Sequence, residues 1–158
     1  MEMLLAAHAK AAMRDSASTV ALKIAFKGSG DFGKAVCAAL STFGLAHGPV
    51  EAAQRLIFGV YPMDEFHAIL RRGKKAPGWG CSFVKGKPDP LWADLAPYFD
   101  DRLSSITTAL HAQGKMVYPN AAAYTACVAN ENLIPPETAL GLVIKGRIRT
   151  WMDICESL

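Results

Sequence analysis

No apolar run in this 158-residue chain reaches the length that a bilayer crossing needs. The longest ones are broken early by Lys, Asp or Gly, so no membrane span is expected. Cysteine is scarce, with four residues (Cys37, Cys81, Cys127, Cys155) far apart in sequence. They form no CxxC, and no Cys/His pair has zinc spacing, so no metal is expected. Unpaired thiols fit a reducing compartment, and the chain is read as cytoplasmic, or from another reducing compartment, and not secreted. The opening segment MEMLLAAHAKAAMR has an acidic residue at position 2 and only a short apolar run. It makes a poor secretory signal and reads more simply as a first helix, with an amphipathic transit peptide as the alternative. Internal repeats and low-complexity segments are absent. Charge of one sign is not in large excess: 17 Lys and Arg against 14 Asp and Glu leave a formal +3. That is too mild to imply nucleic acid and fits either a binder of small anions or a near-neutral surface.

What is present is globular: 51% of residues are hydrophobic and 20% are charged. The length suits a single compact domain over 1–158. Helical punctuation dominates. Phe32, Val36, Leu40 and Phe43 recur at helical spacing, with Ser29 or Asp31 as candidate caps and Gly44 as the stop. Pro49 opens a second such segment, with Val50, Ala53 and Ile57 on one face and Gly59 at its end. Met63, Phe66 and Leu70 form a third stripe, ending in Arg71, Arg72 and Gly73. Leu103, Ile106 and Leu110 precede a stop at Gly114. A helix opens near Pro119 or Asn120 and runs to about Asn132. Pro135 and Pro136 restart the chain for a short helix to Lys145, and a last helix holds Ile148, Trp151, Met152 and Cys155. β-alternation is confined to two short candidates, Ser82–Val84 and Met116–Tyr118. The expected class is all-α, with eight to ten helices.

Residues 73–91, GKKAPGWGCSFVKGKPDPL, hold four glycines and three prolines and keep no period. A loop of that length inside a compact domain is usually functional or mobile. Its Pro-Gly-x-Gly core predicts backbone groups open to a ligand at close range. Lys74, Lys75, Lys85 and Lys87 around it suit phosphates, although an ordinary solvated basic loop has the same composition.

Four segments in order resemble the citrate synthase and citryl-CoA lyase superfamily: GLAHGP (44–49), APGWG (76–80), YPNAAAYTA (118–126) and GRIRTW (146–151). The resemblance spans about residues 16–156. It implies a citrate-synthase-like small domain plus part of the large-domain helices, with the N-terminal half of the family's large domain missing. It implies that coenzyme A or an acyl-CoA is bound through the loop, with Lys74, Lys75, Pro77, Gly78, Gly80 and Lys85 as its contacts. His47 matches the family histidine that hydrogen-bonds the thioester carbonyl. Arg147 matches the arginine that holds a carboxylate of oxaloacetate or citrate, and a guanidinium fork fits a carboxylate bidentately. Each also has a plainer reading: a turn histidine capping a helix, and a surface cation near a helix dipole. His8 resembles an early substrate-binding histidine of the family only loosely.

The departures from the family pattern are as informative. Cys81 stands where the family has a second histidine, and a thiol is a weaker donor than an imidazole. Ala122 stands where the family has the aspartate that takes the methyl proton of acetyl-CoA, which alanine cannot do. Leu91 follows Asp89 and Pro90 where an arginine is usual. Cys81 is read as an inert replacement, a nucleophile paired with His47 being the alternative. Two functions follow. In one, the chain is a non-catalytic or weakly active homologue, a pseudoenzyme serving as an interaction or structural subunit and retaining a CoA site. In the other, it is a citryl-CoA lyase-like or citrate synthase-like enzyme that makes or cleaves a carbon–carbon bond of a CoA thioester. Either way a homo-dimer or a hetero-assembly is expected, with Ala35, Ala38 and Ala39 admitting a close partner helix.

Overall fold

The structure is a computed structural model and describes residues 1–43, 49–60 and 62–158. Among the described residues it is built from eight α-helices and one 3₁₀ turn, with no strand. The helical domain expected over 1–158 is made of two compact units, Met1–Gly48 with Gly141–Leu158, and Pro49–Leu140.

The first unit holds α1 (Glu2–Ala12), α2 (Ala17–Ser29), α3 (Phe32–Leu40) and nearly all of α8 (Leu140–Glu156). Ser16 caps α2, accepting from the Thr19 amide at 3.4 Å, and the Thr19 hydroxyl donates to the Ala12 carbonyl at 3.0 Å. These bonds tie the end of α1 to the start of α2. Gly30 ends α2 in the left-handed region (φ 66°), which a residue with a Cβ rarely adopts. Asp31 then caps α3, accepting from the Lys34 amide at 3.0 Å, so of the two candidate caps Asp31 serves. Leu22, Ala35, Ala39, Ala12, Trp151 and Cys155 form one buried cluster. Ala35 and Ala39, expected to admit a partner helix, are thus fully buried in this chain's own core.

The short helix expected to end at Lys145 does not form as such. Residues 136–139 are turns, and a continuous α8 starts at Leu140 and passes through Gly146. Gly146 is not a stop but a contact: a Cβ there would lie 2.6 Å from the His8 Cβ and 3.1 Å from the Leu5 carbonyl oxygen. The glycine lets α8 lie directly on α1.

The second unit holds α4 (Val50–Phe58), α5 (Pro62–Arg71), the 3₁₀ turn Pro90–Trp92, α6 (Ala96–Ala112) and α7 (Ala121–Glu131). α6 buries Phe99, Leu103, Ile106 and Leu110, one stripe at helical spacing. α7 is different: Ala122 to Val128 and Ala129 are all buried, which marks it as the central helix of the unit. Its small side chains let neighbours come close on every side. Trp92 stacks on Tyr124 at 6.0 Å between ring centroids. Burial pushes the Tyr124 hydroxyl and the Cys127 thiol up to about 12, so both stay protonated at neutral pH. Neither strand candidate forms: Ser82–Val84 is a run of bends, and the Met116–Tyr118 piece leads only to an isolated bridge between Trp79 and Pro119.

Candidate functional site

The residues expected to carry chemistry fall in two sets, one in each unit. In the second unit the segment Ala76–Cys81 is pinned to the start of α7. The Gly80 amide donates to the Tyr118 carbonyl at 2.9 Å, and the Asn120 amide donates to the Gly78 carbonyl at 2.9 Å. The Asn120 side-chain amide reaches the Gly80 carbonyl at 2.6 Å. The Gly78 carbonyl and both Gly80 backbone groups are therefore engaged inside the protein. Each of these groups already has a partner within the protein, which leaves it less to offer a ligand than the motif suggests. Trp79 is buried, and its indole N–H donates to the Thr107 hydroxyl at 2.9 Å. Gly78 has φ 92°, and a Cβ there would sit 3.2 Å from the Cβ atoms of both Ala53 and Ala123. Only glycine lets the loop lie this close to α4 and α7.

What the loop does offer is charge. Arg71, Arg72, Lys74, Lys75, Lys85 and Lys87 are exposed, Pro77 is half-buried, and no acidic residue lies between Glu65 and Asp89. Cys81 is half-buried and its thiol donates to an Asp89 carboxylate oxygen at 3.6 Å. Asp89 also accepts from the Leu91 amide at 3.1 Å, capping the 3₁₀ turn. Cys81 is thus occupied in closing the excursion 82–88 on itself. Ala122 sits in the first turn of α7, 3% exposed, with its amide donating to the Asn120 side chain at 2.9 Å. Its side chain is a methyl group, with no atom that can take up a proton.

In the first unit Arg147 points inward from α8. It is 6% exposed, donates from Nη1 to the Ser18 hydroxyl at 3.0 Å and lies 5.9 Å over the Phe43 ring. Desolvation holds its guanidinium down to about 10. No carboxylate pairs with it among the described residues. This overturns the plainer reading of Arg147 as a surface cation. His8 is fully buried on α1 beside α8, and burial, with the Arg147 charge second, lowers its imidazole to about 3. His8 is therefore neutral at physiological pH. His47 lies outside the described residues.

Sequence reading missed the residues that hold these groups. Asn120, read in the sequence only as a helix start, is also the clamp that holds Gly80, and no local signal marks that second role. Ser18 and Thr107 leave no local signal, because their partners lie 129 and 28 residues away. Among the described residues no group of three His, Cys, Asp or Glu is placed to hold a metal, and no helix is long and apolar enough to cross a membrane.

Set against known proteins, the sequence matches no family model and no curated protein. The structure is similar to that of citryl-CoA lyase from Hydrogenobacter thermophilus, with a TM-score of 0.76 at 21% identity. The match covers 98% of this chain but 66% of that one, so the chain spans just under two thirds of the lyase's length. Over nearly its whole length this all-α chain has the fold seen in that citryl-CoA lyase.

Proposed function

We propose that this chain is a non-catalytic or weakly active relative of the citryl-CoA lyase fold. It serves as an interaction or structural subunit, in a homo-dimer or a hetero-assembly, and keeps the capacity to bind a carboxylate and a CoA thioester. The observation that carries the reading is position 122. A buried alanine, held by an intact cap and packed on all sides, leaves no group there to move a proton to or from a thioester-bearing carbon. Fold outlasts chemistry, because the chemistry rests on a few side chains.

Binding is supported separately in each unit. Arg147 is a desolvated cation with no acidic partner among the described residues, and burying a charge is costly unless something compensates it. A ligand carboxylate is the compensation that its geometry suits. Lys74, Lys75 and Lys85 can hold the phosphates of coenzyme A with their side chains, beside a loop whose backbone is already spoken for. The second reading, lyase-type cleavage of a CoA thioester, draws on the same buried Arg147 and gives His47 the task of polarising the thioester.

The test is incubation of the purified chain with citryl-CoA while following acetyl-CoA release, in parallel with melting scans in coenzyme A. No release is expected above background. Coenzyme A at about a hundred times its dissociation constant should add roughly 2.7 kcal/mol of stability. That gain should disappear in the double substitution Lys74→Gln, Lys75→Gln. Turnover that vanishes in His47→Ala would replace the proposal with the enzymatic reading.

A further inference from the structure

Among the described residues, two buried hydrogen-bond donors of α8 find no acceptor. One is Nε of Arg147, the other is Nε1 of Trp151. The residues are four apart, so they stand one turn above the other on one helix face, with Cβ atoms about 6 Å apart. Trp151 is fully buried and Arg147 nearly so. An unmet donor in such a place is destabilising, because nothing compensates its lost hydration. Two on adjacent turns of one face call for an explanation, and an acceptor supplied by a ligand is one.

The geometry around them is specific. Nη1 of Arg147 is committed to Ser18. The Phe43 ring lies against the guanidinium, and Phe43 also packs against the cluster that contains Trp151. Nε of the guanidinium has no acceptor among the described residues and suits an oxygen of a planar anion. From that arrangement we infer that Trp151 is a ligand-binding residue: its indole N–H and Arg147 Nε together hold one carboxylate, one oxygen on each donor. The inference rests on the reading of Arg147 as a carboxylate site and adds a second, neutral donor to it.

A neutral donor changes what the site selects. A guanidinium alone takes carboxylate or phosphate with little distinction. Adding one directed indole N–H one turn away favours a two-oxygen planar group over a tetrahedral one. Citrate should bind more tightly than inorganic phosphate at equal ionic strength.

The experiment uses the whole chain labelled with nitrogen-15 and titrated with citrate, then with inorganic phosphate, while calorimetry follows binding. The chain has three tryptophans, at 79, 92 and 151, hence three indole N–H signals, and Trp151→Phe assigns the relevant one. On addition of citrate the Trp151 signal should shift downfield, while those of Trp79 and Trp92 stay within their spread. Trp151→Phe, which keeps an aromatic ring and loses the N–H, should bind citrate about tenfold more weakly, as expected for one hydrogen bond to a charged group. Because that change could also loosen the core, the shift in the unaltered chain is the primary readout. Heat of citrate binding with an unmoved Trp151 signal would overturn the inference and leave the Arg147 site standing. Absence of citrate binding in the unaltered chain would remove both. A shift produced equally by phosphate would show an anion site without carboxylate preference and overturn the two-oxygen assignment.

Discussion

Leu133 has φ 56° and is 90% exposed. It stands one residue beyond the cap of α7, where the Ile134 amide donates to the Ala129 carbonyl at 2.9 Å and the Leu133 amide to the Asn130 carbonyl at 3.1 Å. This pair of bonds closes a Schellman motif, whose left-handed residue is ordinarily glycine. A leucine there costs roughly 1–2 kcal/mol in the backbone, and at this exposure its side chain recovers little by burial. Glycine gives part of that back through its larger unfolded-state entropy. Leu133→Gly should therefore raise stability by about 0.5–1 kcal/mol. The urea midpoint should move up with the slope unchanged. A lower midpoint would show that the exposed leucine makes a stabilising contact after all. The same scale explains what was legible at the site. Cys81 and Ala122 were read as replacements because a motif surrounds each of them. The engagement of Cys81 with Asp89 was not, since no sequence pattern says that a loop closes on its own ends.

Elements were legible where their signals are local. Asp31 and Asn120 announced helix starts, and Gly73 and Gly114 announced stops, because a cap or a left-handed glycine acts within a few residues. The reading failed where a glycine's reason lay elsewhere in the chain. Gly146 resembled a break, since glycine in a helix costs about 1 kcal/mol relative to alanine. In the fold that cost is outweighed by the approach of α1 to α8. Gly146→Ala tests which effect is larger. By propensity alone it should stabilise α8. By packing it should cost about 1–3 kcal/mol, because the added methyl would meet His8 Cβ at 2.6 Å and backbone at 3.1 Å, and neither can swing away. We expect the packing term to win and the melting temperature to fall by roughly 2–4 °C for each kcal/mol lost. An unchanged or raised melting temperature would show that α1 shifts to accommodate the methyl at little cost. The loop 73–91 was legible as irregular and basic. Its backbone pairing was not, because Asn120 and Gly80 are 40 residues apart.

At the scale of the whole chain, the two units differ in how they respond to acid. His8 of the first unit has its pKa lowered from 6.5 to about 3, by burial first and by the Arg147 charge second. Around it, Glu2 and Lys10 on its own helix are exposed, Lys23 of α2 is engaged with Asp15 at 2.7 Å, and Arg147 is the charge that α8 brings to bear. In the unfolded chain the imidazole takes up a proton as pH falls through 6.5, whereas in the folded chain it does not until about 3. The unfolded state binds more protons across that window, so acid favours unfolding. The contribution is fully present above pH 6.5 and is lost at up to about 1.4 kcal/mol per pH unit below it. The second unit has no such group among its described residues. The large shifts there, on Tyr124 and Cys127, concern groups that titrate only in alkali, and Glu137, lowered mainly by its backbone hydrogen bond, is fully exposed. Acid should therefore loosen the first unit ahead of the second. Hydrogen exchange compared at pH 7 and pH 4.5, corrected for intrinsic rates, should show amides of α1, α2 and α8 losing protection by about 2–3 kcal/mol. Amides of α4 and α7 should lose less. In His8→Gln the difference between the units should shrink, because the side chain that resists protonation is gone. Equal losses in both units would mean that the chain unfolds as one cooperative body, and the acid cost of His8 would then be borne by the whole molecule.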